Sequence, residues 1–198
     1  MNTKEIVKKL GINAKKAASK LSNTNSKIKN LALENLKKEL DLNINEIIEV
    51  NKKDIENANL LKLSSAMIDR LTLTKDRIQG IIKSLDDIVN LNDPIGKVLS
   101  EWDRPNGLHI KKVSVPLGVI GLIYESRPNV TVDASAISIK AGNSVILRGG
   151  KDSFFSSKKL TEIINKAFVD SGLPENSVQM VPIPEREAVN EMLKIEPD

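Results

Sequence analysis

The chain has 198 residues and a formal net charge of +4, and this weak, mixed charge with one Trp and one Tyr argues against nucleic acid as a partner. No apolar run approaches the ~18 residues that a membrane span needs, and the first residues lack the layout of a signal peptide, so we expect a cytoplasmic protein without a membrane segment. With no Cys and one His, the chain has no thiol nucleophile, and we expect no metal site.

Residues 1–95 are predicted to be helical. The first helix spans 3–10 and ends at Gly11, and the second runs from about 24 to 40. A third helix begins near Asn45, and Ser64 caps a short fourth one. The clearest helix spans 74–91, where apolar residues recur at positions i, i+3, i+4 and i+7. We interpret these apolar stripes as core packing.

From Gly96 onward the apolar period changes from helical spacing to two, which indicates strands. Segments 97–102 and 108–115 are predicted to pair around Asn106-Gly107, a dipeptide typical of hairpins. Pro105 indicates a loop longer than two residues.

Residues 115–150 have the pattern of a strand–helix–strand unit. A short apolar run at 119–124 predicts a buried strand, and 130–141 carries apolar residues at 130, 134, 137 and 141, a helical spacing. Gly142 is predicted to stop this helix, and 144–147 is a second buried strand. The crossover rule makes the two strands parallel.

The same alternation continues to the end of the chain. We predict a helix at 153–170 stopped by Gly172, a third strand near 178–182 and a last helix at 184–194. The predicted fold is therefore α/β, with a mostly parallel sheet and helices on both of its faces.

Polar residues follow both strands of the central unit, at 126–129 and 148–151. In such units ligands bind outside the carboxyl ends of the strands. The glycine-rich fingerprints of dinucleotide and triphosphate sites are absent. The residues alone therefore predict a small-ligand site for an anion.

Several strings of residues resemble the γ-glutamyl phosphate reductase family, a branch of the aldehyde dehydrogenase superfamily. They are Glu-Ser-Arg-Pro-Asn-Val at 125–130 and Leu-Arg-Gly-Gly at 147–150, supported by segments 69–73, 101–108 and 140–143. The resemblance covers nearly the whole chain, and the first two strings are specific to this branch.

The resemblance implies an aldehyde dehydrogenase-like, Rossmann-type cofactor-binding domain. Its parts would be N-terminal helices at 1–95, an oligomerisation β-hairpin at 96–116 and a dinucleotide-binding core at 117–198. It further implies NADPH-dependent reduction of L-glutamyl 5-phosphate to L-glutamate 5-semialdehyde in proline biosynthesis, a homo-oligomer, and an association with glutamate 5-kinase. Two alternatives stay open: a non-catalytic nucleotide-binding or assembly module, and another NAD(P)-dependent aldehyde dehydrogenase.

For the cofactor, the resemblance points to Arg148 and Lys151, since two cations favour the 2′-phosphate of NADPH over NADH. Gly149 and Gly150 would open the backbone to the ligand. Ser126 and Pro128 complete the set of cofactor-binding residues that the resemblance implies. The alternative for Arg148 is a solvated arginine at the end of a strand.

For the substrate, the resemblance offers Arg127 as a ligand of the acyl phosphate or the glutamyl carboxylate, with a structural ion pair as the alternative. Asn129 is the candidate donor to an oxyanion, with capping of the following helix as the alternative. The family reaction needs a Cys nucleophile that this chain lacks. We therefore expect the chain to be the N-terminal portion of a longer enzyme and to be inactive by itself.

Overall fold

The structure, a computed structural model, describes residues 2–194, and within them no helix has the length and apolar character needed to cross a bilayer. The α-helices are α1 (Thr3–Leu21), α2 (Ser26–Leu42), α3 (Ile44–Leu60), α4 (Ser65–Leu71), α5 (Lys75–Asn90), α6 (Asn129–Lys140), α7 (Phe154–Asp170) and α8 (Glu187–Leu193). The strands are β1 (Val98–Asp103), β2 (His109–Val113), β3 (Val119–Ile123), β4 (Ser144–Arg148) and β5 (Val178–Met180). The end of the predicted 117–198 segment lies outside the described residues.

The first helix is longer than the sequence pattern predicts. The predicted end at Gly11 is wrong, because α1 continues to Leu21. A glycine inside a helix costs about 1 kcal/mol relative to alanine. Beyond Gly11, however, α1 buries Ala14, Ala17, Ala18 and Leu21 against the rest of the molecule. This tertiary burial outweighs the local cost, since most helical stability in proteins comes from packing.

Helices α2, α3 and α5 begin and end within two residues of the predicted limits, where limits were predicted. Ser64 caps α4 as predicted, accepting a hydrogen bond from the Met67 amide at 3.4 Å. The buried sides of α2 and α5 join one apolar cluster with β4, in which Leu36, Leu85 and Val145 are fully buried. The N-terminal helices therefore share their core with the sheet.

The predicted hairpin is confirmed. Strands β1 and β2 pair antiparallel, with Trp102 opposite Ile110. Every residue of β1 is exposed, and Leu99 and Trp102 keep 54% and 41% of their surface in solvent. Among the described residues, these strands pair only with each other. The hairpin therefore presents apolar side chains and unpaired edges outside the core.

The root of the hairpin is fixed to the core by two buried lysines. Lys29 is 1% exposed, and its Nζ lies 2.5 Å from Oδ2 of Asp93, just before the hairpin. Lys140, at the end of α6, donates to Oδ1 of Asn30 at 2.7 Å and to the carbonyl of Val89 at 2.8 Å. These contacts join α2, α5, α6 and the chain entering β1.

The second sheet has the order β3-β4-β5, and all of its pairs are parallel, as predicted. Val145 and Leu147 pack in the cluster that contains α2, α6 and α7. Ile146 and Val181 pack instead in a separate cluster with residues of α1 and α8. Because successive side chains of a strand point to opposite faces, helices cover both faces of the sheet. The predicted α/β class is confirmed.

Helix α6, which connects β3 to β4, buries a different side from the stripe of apolar residues that predicts it. Its buried apolar residues are Val132, Ala136 and Ile139, whereas Ile137 is 56% exposed. The helix then ends as predicted, with Gly142 at a φ of 70°. A left-handed residue at this position is accessible to glycine without strain, which allows the direct turn into β4.

Candidate functional site

The candidate site lies where the carboxyl ends of β3 and β4 meet. Their parallel register places Ile123 beside Arg148, so the polar residues that follow each strand emerge at the same edge. The two turns are in contact, since a Cβ added to Gly150 would lie 3.4 Å from the backbone nitrogen of Ser126. Ser126 Oγ donates to Oδ2 of Asp152 at 3.1 Å and links the turns. The structure thus brings together two segments that are 26 residues apart in sequence.

The two glycines after β4 allow close packing between the turns. A Cβ on Gly149 would lie 3.0 Å from the hydroxyl oxygen of Tyr124, and the space above this glycine is therefore filled by a side chain. That hydroxyl is 2.7 Å from Oγ1 of Thr131, and burial raises the pKa of Tyr124. The expectation that Gly149 leaves its backbone open is therefore wrong at this position. No role was predicted for Tyr124, although an aromatic residue at the end of a buried strand is a recognisable signal.

Arg148 is buried at the end of β4, with 8% of its surface exposed. Its Nη2 donates to the carbonyl oxygens of Pro184 and Glu185 at 2.7 and 3.4 Å, and its Nη1 donates to the carbonyl of Gly149. Its Nε is buried and has no hydrogen-bond partner among the described residues. The alternative of a solvated strand-end arginine is therefore wrong. Arg148 fixes the segment that leads into α8.

Lys151 differs from Arg148 in every one of these respects. It is exposed at the first position of a single 3₁₀ turn, Lys151–Ser153, that leads into α7. No hydrogen bond or ion pair involves its side chain within residues 2–194. Lys151 is therefore a cation available to a ligand at the end of β4.

The segment after Lys151 is held by a residue that the sequence did not identify. Asp54 of α3 is 1% exposed and accepts hydrogen bonds from the backbone amides of Phe155 and Ser156 at 3.2 and 2.8 Å. Its carboxylate thus satisfies the free amides at the start of α7. Burial raises the pKa of Asp54, although these hydrogen bonds oppose the shift. A polar residue within the buried stripe of α3 was the available signal.

The turn between β3 and α6 carries the predicted substrate residues. Arg127 is exposed and makes no ion pair within residues 2–194, so the structural ion pair considered for it is not found there. Pro128 is buried at the N-cap of α6, which has no side-chain cap. Asn129 is the first residue of α6, and its Nδ2 donates to Oδ2 of Asp133 at 3.1 Å. The capping alternative for Asn129 is therefore wrong.

Comparison with known proteins agrees with this architecture. A relative from Bartonella quintana, named γ-glutamyl phosphate reductase, is 48% identical over 95% of this chain and 46% of its own length. The crystal structure of γ-glutamyl phosphate reductase from Thermotoga maritima superposes with a TM-score of 0.92 and 37% identity, over 98% of this chain and 46% of that one. The corresponding structure from Saccharomyces cerevisiae gives 0.83 and 32%, over 94% and 47%.

This chain thus spans slightly less than half the length of the curated relatives that it matches. The model of the aldehyde dehydrogenase family matches residues 1–196, which is nearly the whole sequence. The chain belongs to the aldehyde dehydrogenase family.

Proposed function

We propose that this chain forms the nucleotide-binding part of an enzyme that reduces L-glutamyl 5-phosphate to L-glutamate 5-semialdehyde and phosphate, with NADPH as the reductant. Membership of the aldehyde dehydrogenase family implies a nicotinamide nucleotide as the cofactor. Support for the substrate comes from relatives named γ-glutamyl phosphate reductase, which are 45–48% identical over 93–98% of the chain.

The proposed reaction needs binding residues, which this chain supplies, and a thiol nucleophile, which it does not contain. A thiolate would attack the acyl carbon and expel phosphate. NADPH, held by residues at the end of β4, would supply the hydride that converts the resulting thioester into aldehyde and free thiolate. The balance is acyl phosphate, NADPH and a proton to aldehyde, NADP⁺ and phosphate. Because the sequence has no Cys, its residues bind and orient, and the nucleophile must come from outside the 198 residues.

The observation that carries the proposal is the pair of cations at the end of β4. Lys151 is exposed and unpaired among the described residues, as a ligand for a phosphate should be. Arg148 has both terminal nitrogens on backbone carbonyls and a buried, unpartnered Nε. We therefore assign the 2′-phosphate of NADPH to Lys151. Arg148 instead holds the segment before α8 against this strand end.

The turn after β3 supplies the opposite wall of this site. Ser126 and Gly150 hold the two turns in contact, and Pro128 starts α6 without a side-chain cap. Free amides at a helix start favour an anion, which suits the pyrophosphate of a dinucleotide. Asn129 is the candidate oxyanion donor, and its side-chain amide would have to exchange its hydrogen bond to Asp133 for one to the substrate.

The experiment is a titration of the 198-residue protein with NADPH and with NADH, comparing wild type and Lys151→Ala. We expect the variant to bind NADPH about 5- to 20-fold more weakly, since an exposed cation loses one charge-assisted contact, and to bind NADH almost unchanged. Lys158→Ala is the matched control, because Lys158 is also exposed on the same segment and its loss changes the net charge equally.

An equal loss for NADPH and NADH in Lys151→Ala would assign this lysine to a phosphate that both cofactors share. No binding of either nucleotide to wild-type protein would contradict the nucleotide site itself.

The oligomerisation role of the hairpin, the association with glutamate 5-kinase and the cytoplasmic location stay predictions. The exposed apolar side chains Leu99 and Trp102 support the first of these.

A further inference from the structure

A small charged cleft lies between α4 and the turn that follows β3. Its volume is about 100 Å³, and it is lined by two residues of α4, three of the turn and one of α6: Met67, Arg70, Glu125, Ser126, Arg127 and Val130. From the sequence alone, Arg70 is only part of a string that resembles the family, and Glu125 is a candidate buried charge-pair partner without a catalytic role. The structure shows that Glu125 is exposed. The cleft adjoins the carboxyl end of β3, where ligands of parallel sheets bind.

The charged side chains around this cleft have no partner in the part of the chain that the structure describes. Arg70, Arg127 and Glu125 are exposed, and within residues 2–194 none of their side chains takes part in a hydrogen bond or an ion pair. Asp69 does not neutralise its neighbour Arg70, because its Oδ1 accepts from Nη2 of Arg77 at 2.7 Å. Two guanidinium groups and one carboxylate therefore surround one cleft without a partner inside the described chain.

The backbone that carries Arg70 is held firmly, which a binding residue needs. The next residue, Leu71, is fully buried, and its carbonyl accepts from Nδ2 of Asn51 at 2.9 Å. Oδ1 of the same Asn51 accepts from the amide of Leu73 at 2.8 Å. Arg77 donates to the carbonyl of Thr72 at 3.0 Å. The exposed side chain of Arg70 thus extends from a fixed end of α4.

We propose that Arg70 and Arg127 together bind an anionic end of the substrate, a carboxylate or phosphoryl group, while Glu125 faces the ammonium group of the same amino-acid molecule. The identity of the substrate rests on the proposed function. A planar guanidinium makes paired hydrogen bonds to either oxyanion. A cleft of about 100 Å³ is too small for a dinucleotide and suits one end of a small amino-acid derivative.

The probe is the phosphate monoester of L-2-amino-5-hydroxypentanoate, a stable compound in which a methylene replaces the acyl carbonyl of L-glutamyl 5-phosphate. It is titrated into the 198-residue protein at low salt by calorimetry, and inorganic phosphate and L-glutamate are titrated separately. We expect Arg70→Gln to weaken binding of the monoester roughly tenfold, because one charge-assisted contact is lost. Arg104→Gln is the matched control, since Arg104 is an exposed arginine on the hairpin loop.

The separate probes distinguish the two anionic ends. A loss confined to inorganic phosphate assigns Arg70 to the phosphoryl group, and a loss confined to L-glutamate assigns it to the carboxylate. Glu125→Gln should strengthen binding of inorganic phosphate, because a negative charge near the anion is removed, and weaken binding of L-glutamate, whose ammonium loses its partner. The opposite pair of changes would overturn the role of Glu125.

The NADPH titration separates this inference from the proposed function. Arg70→Gln should bind NADPH like wild type, and an equal loss of NADPH and monoester would place Arg70 in the nucleotide site and overturn the inference. Equal monoester affinity in wild type and Arg70→Gln, or no monoester binding to wild type at millimolar concentration, would also overturn it. Monoester binding that depends on Arg70 in a protein that binds no NADPH would leave the inference intact and contradict the nucleotide site.

Discussion

Substitution of Arg148 tests the structure most directly, because the Arg148 guanidinium donates hydrogen bonds to three backbone carbonyls that would otherwise bind water. Arg148→Ala removes the donors to Gly149, Pro184 and Glu185 and leaves those carbonyls to find water or stay unpaired. Each carbonyl left without a partner costs about 1 kcal/mol or more. Relief of the buried, unpartnered Nε offsets part of this loss. We expect the free energy of unfolding to fall by about 2–3 kcal/mol.

Urea denaturation followed by circular dichroism at 222 nm measures this change, and thermal unfolding gives a second reading. In a protein of this size about 1 kcal/mol shifts Tm by roughly 2–4 °C, so Arg148→Ala should lower Tm by about 5–10 °C. Arg186→Ala is the matched control, since Arg186 lies in the same segment, is exposed and makes no side-chain hydrogen bond among the described residues. Hydrogen exchange should show the largest loss of protection in α8, which Arg148 holds through Pro184.

A free energy of unfolding for Arg148→Ala within about 0.5 kcal/mol of the Arg186→Ala value would refute the structural role. The Arg148 guanidinium would then be free in solution, and it would again be a candidate ligand of the 2′-phosphate, as the sequence resemblance implies. The stability measurement therefore also decides how the cofactor titration of Lys151→Ala is interpreted.

Two further substitutions test the packing around the site. Gly149→Ala should destabilise the protein, because the new Cβ would lie 3.0 Å from the Tyr124 hydroxyl. Gly80→Ala in α5 is the control: a Cβ there would have nothing within 4 Å and should stabilise the protein by about 0.5–1 kcal/mol. Similar urea midpoints for the two variants would contradict this packing. Burial raises the pKa of Asp54 above the ordinary value of 3.8. The stability that the protonated Asp54 carboxyl contributes is therefore complete below pH 3.8 and is lost as pH rises through the higher pKa of the folded state. The difference in free energy of unfolding between wild type and Asp54→Asn should therefore shrink as pH rises from 3.8 through the folded-state pKa. A difference that grows with pH would contradict the raised pKa of Asp54.

The sequence predicts the fold well because its signals are local and mutually consistent. The parallel strands follow from short β-branched runs joined by a helix, and Gly142 and Gly172 end their helices at φ values of 70° and 89°, as predicted. The predicted end of α1 at Gly11 is wrong for a tertiary reason, since the burial of Ala14 and Leu21 stabilises the helix beyond this glycine. No local signal reports that burial.

The candidate site is less accessible to sequence reasoning because its roles depend on burial. In the sequence, Arg148 and Lys151 are two cations three positions apart, but Arg148 is 8% exposed and bound to backbone carbonyls, while Lys151 is exposed and has no partner among residues 2–194. Likewise, Asp54 stabilises the start of a helix about 100 residues later, and Arg70 meets Arg127 only in the folded chain. Pairings of this kind lie beyond any periodicity or short motif.

The turn after β3 is the element that both proposed sites share. Ser126 lines the cleft of Arg70 and Arg127, and its hydroxyl also bonds Asp152 beside the predicted nucleotide position. A ligand that moved this turn on one side would therefore change the geometry on the other, and such coupling between two ligands must be reciprocal. For this reason the loss of one ligand in a Ser126 variant cannot by itself assign that residue to either site. Arg70 and Lys151 separate the two proposed sites, since each has an exposed side chain without a partner among the described residues and only Arg70 lines the cleft.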